Sequence, residues 1–169
     1  LDVKAVVGEN LQVGFNITRI FHAFVDAPES YADPRFPGGQ APLGLTSKSD
    51  LPLFADTSYS LYLEYTTQLD LFDGGDAYVR FQHSYNGKSL NQVNDGANAP
   101  RQAQGDYRIS DLVVGYEMGD WKAQLILNNI SDERGISFKD SYDFDPFYGR
   151  NSDNVVRPRN YRISLRGYF

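Results

Sequence analysis

The chain has 169 residues, no cysteine, 14% aromatic residues and a formal net charge of −6. That length suffices for one ordinary domain, the acidic balance argues against a dedicated nucleic-acid binder, and the lack of cysteine excludes disulfides and thiolate metal sites. No apolar run exceeds three residues, which excludes a transmembrane helix. A transmembrane β-barrel is compatible with this pattern, because its lipid-facing and lumen-facing residues alternate.

Seven segments alternate apolar and polar side chains with a period of two, which predicts strands that each have one apolar face. In chain order the segments cover residues 1–7, 11–18, 57–69, 77–86, 111–116, 121–128 and 161–169. Short glycine-containing turns connect three successive pairs of them: GEN at 8–10, FDGGD at 72–76 and MGD at 118–120. The other three connections are long and show no periodicity.

The alternation of short and long connections predicts an up-and-down antiparallel sheet with all short turns at one end and all long loops at the other. Outer-membrane barrels have this asymmetry, with short periplasmic turns and long extracellular loops. A soluble lipocalin-like barrel or a sandwich is the alternative, but it has no physical reason to sort its loops by end. The expected orientation places the C-terminus at the short-turn end, where Tyr116, Trp121 and Phe169 would form an interfacial aromatic girdle.

The polar faces of the strands would line the lumen of a membrane barrel, whereas in a soluble barrel they would face water. Alternation alone does not separate the two cases. The sorted loops, and a closing strand that alternates up to Phe169, favour the membrane barrel. We therefore predict an all-β fold that is a segment of about seven strands of a larger antiparallel up-and-down transmembrane β-barrel. The charged side chains facing the lumen would be Glu64, Arg80, Lys122, Arg162 and Arg166.

Two stretches resemble the C-terminal end of TonB-dependent outer-membrane receptors. WKAQLILNNISDERG at 121–135 is similar to the family's W-led strand, with NNISDE in place of its KNLTDE-like sequence, and RPRNYRISLRGYF at 157–169 is similar to its closing strand. GENLQVGFNITRIFHA at 8–23 resembles a hairpin of that family, with Asn10 where Gly or Asp is usual. YVRFQHSYNG and DYRISDLVVGYEMGDW look like its penultimate strands.

The resemblance implies a large plugged barrel of about 22 strands. Residues 1–169 would be the C-terminal portion of the barrel domain, and the plug domain and earlier strands would precede Leu1. The implied location is the outer membrane of a Gram-negative cell, with a periplasmic C-terminus. The implied partners are outer-membrane lipid, the outer-membrane assembly machinery, and the TonB complex acting through an N-terminal region outside this chain.

The function expected from the resemblance is energised, TonB-dependent uptake of a scarce nutrient by an outer-membrane receptor. Ferric siderophores are the commonest ligands of such receptors, and sugars, vitamins and peptides are competing candidates. A passive porin-like or small free-standing outer-membrane barrel is the alternative, and an outer-membrane enzyme ranks third. No cofactor and no nucleic-acid partner are expected.

Two groups of residues are candidate site residues. Alternating residues of the closing strand resemble the barrel-assembly signal read by the assembly machinery, and the same stripe would face lipid: Tyr161, Ile163, Leu165, Gly167 and Phe169. Residues of the first and last long loops are candidate ligand contacts: Tyr31, Arg35, Phe36, Tyr142, Phe147 and Tyr148.

Catalysis and metal binding are not expected. The two histidines, His22 and His83, lack a metal-ligand spacing, and Ser84 beside His83 has no visible third group to complete a triad. The last long loop lacks the fixed glycine and closing glutamate of a calcium loop, so a solvated surface loop is expected. Its aspartates are Asp140, Asp143, Asp145 and Asp153.

Overall fold

The computed structural model describes residues 1–21, 30–32, 34–35, 37–42, 52–71, 74–91, 102–140 and 152–168. The strands in these residues are β1 (Asp2–Val7), β2 (Leu11–Arg19), β3 (Ser30–Ala32), β4 (Gln40–Pro42), β5 (Thr57–Leu69), β6 (Gly75–Asn86), β7 (Ser89–Leu90), β8 (Ala103–Gln104), β9 (Tyr107–Met118), β10 (Trp121–Asn128), β11 (Ile136–Asp140), β12 (Ser152–Val155) and β13 (Asn160–Gly167). Within these ranges no helix is long and apolar enough to cross a membrane.

Seven long strands form one antiparallel sheet in the order β1–β2–β5–β6–β9–β10–β13. Each long strand pairs with the next long strand of the chain, so the sheet is an up-and-down meander. The predicted all-β fold with an antiparallel sheet of seven strands is therefore confirmed. The strands β1 and β13 lie at opposite edges, and among the described residues the sheet is not closed into a barrel.

The predicted bounds agree with the structure at β5 and β10 and differ most at β9. The strand β9 begins at Tyr107, four residues before the predicted start. Its first residues pair with the end of β6. In them, polar residues lie on the face that is apolar in the rest of the strand, and an apolar residue lies on the other face. Arg108 and Ser110 share the face of Leu112, while Ile109 lies on the opposite face. A period-two pattern read from the sequence breaks at such a point.

The three short connections lie together at one end of the sheet, as predicted. Gly8, Gly74 and Gly119 in these turns have φ angles of +64°, +89° and +52°. Glycine adopts this left-handed conformation without the strain that a Cβ atom would cause, so the chain reverses within a few residues. Every long connection between strands of this sheet therefore starts and finishes at the other end.

The long connections contain short hairpins that the sequence does not predict. β3 pairs with β4, β7 with β8, and β11 with β12. The expectation of loops without regular structure is therefore wrong in these places. These strands have only two to five residues, and the register of the β11–β12 pair shifts between Ile136 and Phe138. Such short, irregular strands show no period in the sequence.

The register places most of the apolar residues of the seven long strands on one face, which we call the apolar face. Two of its rows are apolar from edge to edge. One row is Ala5, Val13, Leu63, Phe81, Leu112, Leu127 and Tyr161. The next row is Val7, Leu11, Tyr65, Val79, Val114, Leu125 and Ile163. No described residue forms a second layer over this face, and its large side chains are exposed at many positions.

The opposite face, which we call the polar face, carries most of the charged side chains of the sheet. Val113 and Ile126 interrupt it at the centre, between Arg80 and Arg162 on the same row. Among the described side chains only four are buried: Tyr78, Val156, Gln104 and Asn129. The described residues therefore form an open wall rather than a sheet packed around an apolar core.

Candidate functional site

Paired charges occupy the centre of the polar face. Glu64 on β5 and Arg80 on β6 are cross-strand neighbours, and Arg80 Nε donates to Glu64 Oε2 at 2.5 Å. The Arg80 guanidinium also lies 5.7 Å from the ring centroid of Tyr62 and 5.8 Å from that of Tyr78. The ion pair and the two cation–π contacts together hold this cation in place.

Tyr78 is the most closely packed aromatic side chain of the polar face, with 7% of its surface exposed. Its ring lies over Gly115 of β9, where an added Cβ atom would overlap the ring. Its hydroxyl accepts a hydrogen bond from Gln124 Nε2 at 2.5 Å. Lys122, which forms an ion pair with Glu117, lies 5.1 Å from the ring centroid. Because Gly115 has no side chain, the aromatic ring of the neighbouring strand packs directly against its backbone.

Asn129, just after β10, joins three segments of the chain and is 2% exposed. Its backbone N–H donates to Asp111 Oδ1 at 2.8 Å. Its side-chain amide donates to the carbonyl oxygens of Glu133 and Arg157, each at 2.9 Å, and its Oδ1 accepts from the Glu133 N–H at 2.9 Å. The buried amide thus has partners for both its donor and its acceptor, as a buried polar group requires.

Asp132 attaches the segment before β13 to the same connection. The Arg159 N–H donates to Asp132 Oδ1 at 3.0 Å, and Arg134 forms an ion pair with Asp132 at 3.3 Å. The hydrogen bond from the Arg159 backbone, followed by that from the Arg134 side chain, lowers the pKa of Asp132 below its usual value. The NNISDE and RPR stretches of the sequence therefore meet in one structural unit.

A cleft of about 660 Å³ opens beside this unit, at the long-loop end of the polar face. Its lining residues are Ile109, Asp111, Asn128, Asn129, Arg157, Asn160, Tyr161 and Arg162. Asn128 Nδ2 donates to Asn160 Oδ1 at 2.9 Å, and Asn160 Nδ2 donates to the Pro158 carbonyl at 3.0 Å. These bonds fix both amides, and no described group donates to the Asn128 Oδ1 atom.

A second hollow, of about 450 Å³, lies over Gly14 near the β1 edge of the polar face. Its polar lining side chains are Lys4, Gln12 and Tyr62. It contains one charged group, whereas the cleft contains an aspartate and two arginines. The cleft is therefore the site with more groups able to orient a ligand.

Aromatic rings cluster at the long-loop end of the apolar face. The Tyr59 ring centroid lies 5.2 Å from that of Tyr85 and 6.0 Å from that of His83. His83 Nδ1 and Ser110 Oγ form a hydrogen bond of 2.8 Å, and the Arg108 guanidinium lies 4.9 Å from the Tyr85 ring centroid. His83 thus packs as one ring of this cluster.

The predicted assembly stripe lies on the apolar face of β13. Tyr161, Ile163 and Leu165 are 80%, 74% and 74% exposed, and Gly167 lies on the same face. Phe169 lies outside the described residues. The structure thus places the four described members of the stripe on one face, and their role in assembly stays a prediction.

The predicted ligand contacts are only partly described. Tyr31 lies in β3 and Arg35 in the turn that follows it. The rest of the set lies outside the described residues: Phe36, Tyr142, Phe147 and Tyr148. The ligand role of all six residues stays a prediction. His22, Asp143 and Asp145 also lie outside them. In the described part of the chain, no group of three or more His, Cys, Asp or Glu side chains could hold a metal ion.

The cleft is not predicted by the sequence. Asn128 and Asn160 are far apart in the sequence, and only the pairing of β10 with β13 makes them neighbours. One local signal was present: residues 157–166 contain four arginines and no acidic residue. An unbalanced run of this kind indicates a surface able to attract anions.

No protein-family model, curated protein or solved structure matches this chain. The geometry of the apolar face and of the cleft is therefore the basis for a functional proposal.

Proposed function

We propose that the chain forms part of the wall of a transmembrane β-barrel, in an outer-membrane receptor for energised nutrient uptake. The observation that carries this proposal is the exposed apolar face of an open seven-stranded sheet, with two rows that are apolar from edge to edge. Large side chains on it are exposed, with Ile163 and Leu165 each at 74%. A sheet in water buries such a face under a second layer, whereas a barrel wall presents it to lipid.

The height of the apolar face supports a lipid-facing wall. Tyr59 and Leu69 mark its two ends on β5 and lie ten residues apart. Ten residues rise about 33 Å along a strand, and a tilt of about 40° reduces this to about 25 Å across the membrane. Outer-membrane barrels have an apolar band of about this height between two aromatic girdles. Tyr59 and Tyr85 would lie in one girdle, and Tyr116 and Trp121 in the other.

The distribution of charge supports a lumenal role for the polar face. The ion pairs Glu64–Arg80 and Lys122–Glu117 both lie on that face. Charges pointing into lipid are costly, while charges in a water-filled lumen are not.

The resemblance to TonB-dependent receptors extends the proposal from a barrel wall to energised uptake. It adds a small-molecule ligand such as a ferric siderophore, a sugar or a vitamin. It also adds a periplasmic C-terminus and coupling to the TonB complex through a region outside this chain. The assembly machinery would read the closing stripe of β13.

Arginine substitutions on the two faces of β13 test whether its apolar face contacts lipid. Ile163→Arg places a charge in lipid near the middle of the apolar face, which costs about 2–4 kcal/mol. We expect it to reduce the folded fraction of the full-length protein, measured by heat-modifiable gel mobility in outer-membrane preparations. Ser164→Arg points to the lumen and should assemble nearly as well as the wild type. Equal losses from both changes would contradict the membrane facing and favour a soluble sheet with two packed faces.

Ion conductance distinguishes a plugged receptor from a passive porin. The full-length protein should conduct little steady current in planar bilayers bathed in potassium chloride, because a plug fills the lumen of receptors of this kind. A steady current in every inserted molecule would contradict the receptor proposal and support the passive-barrel alternative.

A further inference from the structure

The cleft beside Asn129 differs from the centre of the polar face in its charge balance. On the central strands, Arg80 and Lys122 each form an ion pair with an acidic side chain. Arg157 and Arg162 line the cleft, and no acidic side chain among the described residues forms an ion pair with either. Guanidinium groups without an acidic partner are well suited to bind carboxylate or phosphate oxygens, often in a bidentate geometry.

The other lining groups restrict the kind of anion that fits. Asp111 uses Oδ1 to accept the Asn129 N–H, which leaves its Oδ2 for a ligand. Asn128 is held by its bond to Asn160, which leaves its Oδ1 as a second acceptor. Two arginines and one aspartate give the lining a net charge of +1. Such a lining matches an anionic group that carries hydroxyl donors nearby.

We propose that this cleft binds a small hydroxylated anion, with Arg157 and Arg162 on its carboxylate or phosphate oxygens and Asp111 and Asn128 on its hydroxyl groups. The cleft volume of about 660 Å³ lies within the usual range of small-molecule sites. The inference rests on the proposed function, because it names the class of ligand that a receptor with this polar face would take.

Calorimetric titration of the purified full-length protein with three probes tests the inference. Gluconate carries a carboxylate and hydroxyl groups, sorbitol is its neutral counterpart, and glucose 6-phosphate carries a phosphate instead. We expect at least one of the anions to bind about tenfold or more tightly than sorbitol. Binding of gluconate alone assigns a carboxylate ligand, and binding of glucose 6-phosphate alone assigns a phosphate ester. If neither anion binds at millimolar concentration, the inference is wrong.

Arg162→Gln and Arg166→Gln form a matched pair on the polar face of β13. Only Arg162 lines the cleft, whereas Arg166 lies four residues further along the same face of β13 and donates to the Tyr168 hydroxyl at 3.4 Å. We expect Arg162→Gln to weaken anion binding about tenfold, and Arg166→Gln to change it less than about twofold. Equal weakening would show a general charge effect and overturn the inference. Arg157→Gln, outside the strands, repeats the test if Arg162→Gln assembles poorly.

Gel mobility of the same preparations separates this inference from the proposed function. A heat-modifiable outer-membrane barrel that binds none of the anions would overturn the cleft inference and leave the membrane proposal standing. A soluble protein that binds gluconate through Arg162 would support the cleft and contradict the membrane proposal.

Discussion

Gly115 and Tyr78 show how a residue without a side chain determines packing on the polar face. The Tyr78 ring occupies the space that a Cβ atom at Gly115 would need. Only 7% of the surface of Tyr78 is exposed, although no described residue forms a second layer over this face. The seated ring then accepts the Gln124 amide at its hydroxyl and lies against two cations, Lys122 and Arg80. One glycine therefore positions a whole group of polar side chains.

Gly115→Ala tests this seat. The added methyl group must displace the Tyr78 ring, and overpacking of this kind costs about 1–3 kcal/mol. We expect a lower free energy of unfolding, measured by urea denaturation of the full-length protein in detergent. Gly14→Ala is the matched control on the same face, because its Cβ atom would lie 3.5 Å from the Tyr62 Cβ, an ordinary contact. If both variants lose the same stability, the ring is not seated on Gly115.

At the scale of elements, the connection after β10 and the segment before β13 form a clasp, which we define as residues 129–135 together with 156–160. Asn129 binds the Arg157 carbonyl, Asp132 binds the Arg159 N–H, and the Val156 N–H donates to the Gly135 carbonyl at 2.9 Å. Long-range hydrogen bonds of this kind hold the base of the last long loop in a defined position at the start of β13.

The clasp should loosen in acid because of Asp132. Its lowered pKa means that the folded state favours the carboxylate, against a usual value of 3.8. The contribution of this group is complete above that pH and is lost as the pH falls through the lowered pKa. We expect amide exchange of Arg159, corrected for its intrinsic pH dependence, to accelerate in this acid range in a mass-spectrometric experiment.

Asp132→Asn is the control for this prediction. The variant should exchange faster than the wild type at neutral pH and should show no further acceleration in acid. A wild-type profile that stays flat through the acid range would mean that the carboxylate does not hold the clasp.

For the whole molecule, the meander places all short turns at one end of the sheet and all long connections at the other. The two ends therefore carry different structures. Short turns with left-handed glycines give one end a compact rim. The other end carries the hairpins β3–β4, β7–β8 and β11–β12, the clasp and the cleft. In the proposed barrel, the hairpin-bearing end is outside the cell and the compact end is periplasmic.

Epitope tags test this orientation. A tag inserted at Gly38, between β3 and β4, should bind antibody on intact cells. Tags at Gly8 and Gly119 should bind only after the outer membrane is permeabilised, because both lie in the opposite turns. Labelling of the Gly119 tag on intact cells would reverse the topology.

The sequence by itself determined the seven long strands, which side chains of each strand share a face, and the positions of the short turns. A period of two is a local property, and a glycine turn marks each short reversal, so the bounds of β5 and β10 follow directly from the residues. The pattern failed where a polar residue lies on the apolar face or an apolar residue on the polar face, as at Arg108 and Ile109 on β9. It also failed where strands are only a few residues long.

Only the tertiary structure decided the register between strands, and with it the seat of Tyr78, the partners of Asn129 and the cleft. Each of these joins residues that are distant in the sequence: Asp111 meets Asn129, and Asn128 meets Asn160. Alternation states which face a side chain takes, but shifting a strand by two residues keeps the face and changes every neighbour. Hydrogen bonds and close packing between specific atoms select one register, and that selection is a property of the assembled sheet.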